Sequence, residues 1–165
     1  MGDIAFNISK GKVKQYFQLS QEGTASQPGL VAVAFTGTET DANLKDFDTL
    51  AQVEASALAE CVLAGYTRKV LTGVTAANGG ADTVGVNDST DAWEGDSLDI
   101  TWTGVVAGTA WTRIGIFYCP NIGTGGVFTG ASSDTLWIPL TMHDFAQTPD
   151  GSVLVAQVAN LISNG

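Results

Sequence analysis

The chain contains a single histidine, His143, and Asp144 follows it directly. An imidazole beside a carboxylate is the pairing used for acid–base work, and a hydroxyl or thiol in reach would complete a nucleophilic triad. Neighbouring residues on a strand point to opposite faces, so Asp144 cannot orient His143 if one strand runs through both. No GxSxG or comparable nucleophile signature occurs in the sequence. One histidine also excludes the usual multi-histidine metal sites. The pair therefore reads as structural, with a ring nitrogen satisfying a local backbone carbonyl at a corner of the chain. A hydrolase built on His143 and Asp144 is the rival reading. No catalytic residue, no metal ligand and no cofactor is expected.

Other residues invite chemistry less strongly. Asp82, Asp88, Asp91, Glu94, Asp96 and Asp99 crowd one acidic stretch, the oxygen-rich composition calcium requires. Residues 87–93 lack the glycine and terminal glutamate of an EF-hand, so a solvated acidic loop is the better reading. Asp46 with Asp48, or Asp96 with Asp99, could be cast as a glycosidase pair, but nothing sets them across a cleft. Trp93 and Trp111 are the tryptophans expected to be exposed, as weak candidates for glycan or partner contact. Trp102 and Trp137 alternate within apolar strands and read as core or subunit contact. Lys10, Lys12 and Lys14 form the one basic cluster and share a face if the segment is extended. They serve either as an edge guard against aggregation or as a docking strip for an acidic partner.

These residues sit in a chain of 165 residues and 17.1 kDa, enough for one domain with its own core. The formal net charge of -10 disfavours broad-face binding to nucleic acid or anionic membranes. No apolar run is long enough for a helical membrane span, and the N-terminal residues lack the regions of an export signal. Met1-Gly2 is too short a match to indicate lipidation. Cys61 and Cys119 have no zinc or CxxC spacing and read as two buried thiols, with one disulfide as the minority alternative.

Strand signals dominate. Val13, Gln15, Phe17 and Leu19 alternate with Lys12, Lys14, Tyr16 and Gln18, predicting a half-buried strand. Residues 30–35 form an apolar run that predicts a strand buried on both faces. Further strands are predicted over 66–72, 97–103, 113–119, 135–140 and 152–158, rich in β-branched and aromatic residues. Leu44, Phe47 and Leu50 follow helical spacing, and Thr40 or Asp41 suits an N-cap, predicting one short helix around residues 44–51. Pro139 predicts an edge or a bulge. Thr148, Pro149, Asp150 and Gly151 predict a type I turn, with Leu140, Phe145, Val153 and Val155 facing inward. The expected fold is mainly β, an antiparallel β-sandwich or barrel-like domain with one short helix. Residues 1–14 are expected to form an extended N-terminal arm, and residues 15–165 one β-rich domain.

Several segments carry a resemblance: Phe6-Asn-Ile-Ser-Lys-Gly-Lys-Val13, Leu44-Lys-Asp-Phe-Asp-Thr-Leu50, Tyr66-Thr-Arg-Lys-Val-Leu71, Trp102-Thr103 and residues 138–152, which hold His143. In this order they resemble a family of small virion structural proteins of tailed bacteriophages, particularly those of actinobacteria. The resemblance implies a virion component assembled in the host cytoplasm, with head decoration the favoured role and no catalytic residue. It implies the major capsid protein as partner and a homo-oligomer, with a trimer favoured. Ile4, Phe6 and Ile8 are then the expected apolar contacts to the shell, and Lys10, Lys12 and Lys14 the charge partners. A tail- or fibre-associated module that binds host glycan is the alternative.

Overall fold

A computed structural model describes residues 3–21, 28–71, 75–76, 85–87, 92–123, 128, 132–157 and 162–164, with backbone alone for residues 21, 75–76, 85–87, 92–96 and 162–164. The chain opens with β1 (Ile4–Ala5), a 3-10 turn at Asn7–Ser9 and α1 (Val13–Gln21). There follow β2 (Gly29–Gly37), α2 (Asp41–Leu44), α3 (Leu50–Glu54), β3 (Leu58–Glu60), β4 (Lys69–Val70), β5 (Thr75–Ala76) and β6 (Gly85–Asn87). β7 (Ala92–Asp96), β8 (Ile100–Trp102), β9 (Trp111–Cys119), β10 (Ile138–Gln147), β11 (Leu154–Ala156) and β12 (Ile162–Asn164) complete the described elements.

A six-stranded sheet runs in the order β1-β10-β9-β2-β3, with β4 also paired to β2. β2 alternates its side chains between two cores, as the apolar run over 30–35 predicts. Val31, Val33 and Phe35 join one cluster with Phe117, Met142, Leu44, Leu50 and Val53. Leu30, Ala32 and Ala34 join the other, with Ile114, Ile116, Val13, Phe17, Trp102 and Leu154. Thus α2 and α3 cover one face, while α1 and the β8–β11 ribbon cover the opposite face. β12, β7, β5 and β6 form a separate four-stranded sheet.

The expected sandwich or barrel with one helix is therefore corrected. Among the described residues there are three α-helices, the layers over the main sheet are helices and a two-stranded ribbon, and no sheet closes into a barrel. The strand expected over 12–19 is α1. Val13, Tyr16 and Phe17 fit helical spacing as well as alternation, and Val13 and Phe17 are both buried. Tertiary packing decides between the two periods, because a helix brings 13, 16 and 17 to one face whereas a strand would turn Tyr16 away.

The single helix expected around 44–51 is two. Thr40 Oγ1 accepts from the Asn43 amide and caps α2. A new N-terminus forms at Thr49, whose hydroxyl accepts from the Gln52 amide at 3.3 Å, while Gln52 Oε1 accepts from the Asp48 amide at 2.6 Å. This Thr-x-x-Gln exchange is a capping-box arrangement, and it starts a second helix rather than continuing the first.

β10 also departs from expectation. It runs unbroken through His143 and Asp144, so the corner lies at residues 148–151, where Gly151 takes φ +92°. The register shifts between Pro139 and Thr141, which is the bulge Pro139 predicts. Past the corner the parity slips by one residue. Leu154 and Ala156 face inward while Val153 and Val155 stay exposed, because Leu154 and Ala156 pair with Trp102 and Ile100 on the buried face of the ribbon. Leu140 is buried and Phe145 half-buried against the same core.

Candidate functional site

His143 is held between Asp3 and Thr141 rather than by the neighbouring carboxylate of Asp144. Its Nδ1 lies 3.3 Å from Asp3 Oδ2, and its Nε2 lies 2.9 Å from Thr141 Oγ1. The neutral tautomer with its proton on Nδ1 satisfies both contacts, donating to the carboxylate and accepting from the hydroxyl. Thr141 and His143 share a face because they are two apart on β10. Asp144 points the other way and approaches Arg113 at 3.6 Å. Arg113 is buried and also bonds Asp41 Oδ1 at 2.7 Å in the first turn of α2.

Hydroxyl, imidazole and carboxylate in that order form the connectivity of a catalytic triad. The hydroxyl is nevertheless poorly presented. Thr141 is 6% exposed and sits mid-strand between β1 and β9, with no elbow to present its hydroxyl to a substrate. A cleft of about 180 Å³ lies elsewhere, between Lys69 and Leu71 on one side and Leu98 and Thr101 on the other. That is smaller than the ~300–1,000 Å³ typical of ligand pockets. Among the described residues, no group of three or more His, Cys, Asp and Glu is placed to hold a metal ion.

What the triad does is fasten the N-terminal strand. Asp3 Oδ1 accepts from the Asp144 amide at 3.3 Å while its other oxygen meets His143. β1 then pairs with β10, Ile4 opposite Met142 and Ala5 opposite Thr141. Phe6 is fully buried in the cluster with Met142 and Leu44, and its amide donates to Leu140 O at 3.1 Å. Ser9 is buried too, with its hydroxyl 2.9 Å from Phe6 O and 3.2 Å from Leu140 O. Asn7 reaches the α2 side of the molecule, its amide donating to Lys45 O and its side chain to Asp46 Oδ1.

These contacts replace the extended arm expected for residues 1–14 with a strand, a 3-10 turn and the start of α1. Ile4 and Phe6 face the chain's own core, so they are not free apolar contacts; Ile8 alone of the three is exposed, at 38%. Lys10, Lys12 and Lys14 are all exposed on the turn and the first residues of the helix. Gly11 takes φ +78°, the left-handed conformation that lets the chain reverse between Lys10 and Lys12. Lys10 Nζ donates to Asn7 Oδ1 at 2.7 Å, a neutral partner. Ile8, Lys10, Lys12 and Lys14 are thus all exposed on one short segment that is fixed to the main sheet.

Trp111 is fully buried, which corrects its expected exposure. It packs edge-on against Tyr66 and Trp102, and its Nε1–H donates to Cys61 Sγ at 3.1 Å. A tryptophan at a strand start reads as exposed only if nothing covers that end, and here the residues around Cys61 do. Trp93 lies on β7, but its side chain falls outside the described residues, as does most of the acidic stretch 82–99. Trp102 and Trp137 are core, as expected. Cys61 and Cys119 are free and buried.

One cluster escaped the sequence reading. Arg68 bonds Glu60 Oε2 at 2.6 Å, Asp134 Oδ1 at 2.6 Å and Glu54 Oε1 at 2.9 Å, and its guanidinium stacks 4.8 Å from the Trp137 ring centroid. Tyr66 O–H donates to Glu60 and accepts from the Ala34 amide. Burial lowers the Arg68 pKa, but the hydrogen bonds to Glu60 and Asp134 outweigh it and the net shift is upward. Desolvation pushes Glu54 up to about 7, reinforced by its hydrogen bond to Glu60 and by the Asp134 charge. Burial and the Glu60 carboxylate push the Tyr66 phenol up as well. The arrangement ties α3, β3, the approach to β4 and the 3-10 turn at Asp134–Leu136 into one body. No local pattern could have announced it, since its members come from four separated segments.

No family model, no curated protein and no solved structure matches the chain.

Proposed function

We propose that the chain is a non-enzymatic structural protein of a tailed-bacteriophage virion. In this reading it is a decoration protein that binds the outer surface of the major capsid protein lattice as a homo-oligomer and stabilises the head. The sequence resemblance gives the class. The observation that carries the docking mode is the basic turn: Lys10, Lys12 and Lys14 exposed on the same short segment as exposed Ile8, which Phe6, Ser9 and the Asp3–His143 contact fix in place.

The physical case is one of charge contrast. On a chain of net charge -10 with only 7 basic residues, Arg68 and Arg113 are already bound to carboxylates, while these three lysines face water. An acidic strip on the capsid surface complements them, and the long-range repulsion of the remaining surface orients the approach. Because the turn is pre-ordered, docking loses little backbone entropy. Three rim pairs at about 0.2–1 kcal/mol each supply a modest, salt-sensitive part of the affinity, and Ile8 supplies the apolar centre. The burial of Trp111 removes one of the two residues on which a glycan-binding module would rest.

The test uses particles that lack the protein and are rebuilt with purified chain. Replacing Lys10, Lys12 and Lys14 by Glu lowers affinity by at least tenfold in this reading, with an unchanged circular dichroism spectrum. Occupancy equal to that of the unsubstituted chain sinks the docking mode.

A further inference from the structure

A second surface of a different kind lies where three loops meet. Val106 N–H donates to Ala64 O at 3.0 Å, and Gly108 N–H donates to Pro149 O at 3.2 Å, so residues 61–66, 104–110 and 146–153 form one joined tip. Gly65 has φ +83°, and a Cβ there would collide with the Gly104 carbonyl, so the first two loops touch backbone to backbone. Beneath them stand Tyr66, Trp111, Trp102 and Phe145, packed ring against ring. The tip is thus built on a rigid base.

Its surface sets exposed valines among the uncharged polar residues Thr109, Gln147, Thr148 and Ser152 and is almost free of charge. Val62 is 94% exposed, Val106 46% and Val153 56%, and Val155 continues the row at 45% on the outer face of β11. Charged residues make up 15% of the chain, yet Asp150 is the sole charge in these three loops. Single exposed valines are ordinary, but several on one pre-ordered, uncharged surface are not.

We propose that this tip is the contact through which copies of this chain associate with one another. The argument is electrostatic. Each copy carries a net charge of -10, so most approaches bring like charge against like charge. The loop tip is a place where two acidic copies bring few like charges into contact, one Asp150 each, and have apolar area to bury. A basic partner would gain little from a face whose one acid is Asp150, and an acidic partner finds its lysines elsewhere. This inference rests on the homo-oligomer part of the reading above and not on the capsid part, so the two fail separately.

Sedimentation velocity on the full chain, from micromolar to near-millimolar concentration, tests it. The unsubstituted chain gains mass with concentration. The Val62→Asp, Val106→Asp double variant, altered only at exposed positions, keeps its thermal midpoint and associates at least tenfold more weakly. An Ile8→Asp variant at the basic turn associates as the unsubstituted chain does. An unsubstituted chain that stays monomeric throughout, or a double variant that associates equally well, overturns the proposal. So does loss of particle binding in the double variant of a monomeric chain, which would assign the tip to another protein.

Discussion

Glu54 gives the sharpest energetic prediction. Its ordinary pKa of 4.5 is pushed up to about 7 in the fold, chiefly by burial, then by its hydrogen bond to Glu60 and by the Asp134 charge. A raised carboxyl pKa means that the folded chain holds a proton which the unfolded chain has released. Stability attributable to Glu54 is complete below 4.5 and is lost as pH rises toward the folded value of about 7. The slope in that window is about 1.4 kcal/mol per pH unit, or about 3 kcal/mol in all. The side chain is 26% exposed, so solvent screening trims this to about 2 kcal/mol. Glu54→Gln keeps the shape and the neutral state at every pH. Thermal and urea unfolding followed by circular dichroism at about pH 5 and about pH 8 read the difference. The variant matches the unsubstituted chain at the lower pH and exceeds it by about 2 kcal/mol, or about 5 °C in Tm, at the higher. Glu39 and Asp150 have lowered pKa values, from hydrogen bonds to Thr40 and Ser152 respectively, and lose stability as pH falls below the carboxylate range. Their effect has the opposite sign and a different window. Parallel pH slopes for the variant and the unsubstituted chain would refute the reasoning.

Phe6→Ala empties a fully buried site between β10 and α2 and lowers stability by about 3–5 kcal/mol in urea unfolding. A loss under 1 kcal/mol, within the range of surface substitutions, would mean that the N-terminal segment is not part of the core. His143→Ala removes a partly exposed contact, so global stability changes by about 0.5 kcal/mol or less. Hydrogen exchange at Ile4, Ala5 and Phe6 accelerates by about twofold as β1 frays, the same ~0.5 kcal/mol read locally; unchanged exchange there would deny His143 its fastening role.

The sequence was most informative where one pattern has one solution. The apolar run of β2 admits only a strand covered on both faces, and the Pro139 bulge follows from its missing N–H. It was least informative where two periods share the same residues. Val13, Tyr16 and Phe17 satisfy strand alternation in part and helical spacing in full, and only the core that receives them decides. The Thr49–Gln52 capping exchange was legible as Thr-x-x-Gln but lay inside what spacing alone joins into one helix. Strand parity separates the Asp144 side chain from His143 because β10 runs straight through the position where a corner was expected. Its true partner, Asp3, lies at the other end of the sequence, and only the pairing of β1 with β10 brings it near. The Arg68 cluster was hidden for the same reason. Trp111 was misread because its cover comes from the residues around Cys61, distant in sequence.

The central claim is that this chain docks on a capsid through its N-terminal turn. A reconstruction of a tailed-phage virion whose purified particles contain the chain tests that claim most directly. The account predicts density for this fold on the outer face of the head lattice, with Ile8, Lys10, Lys12 and Lys14 against acidic residues of the major capsid protein. Density for the fold on the tail, or on the head with the turn facing solvent, would contradict it.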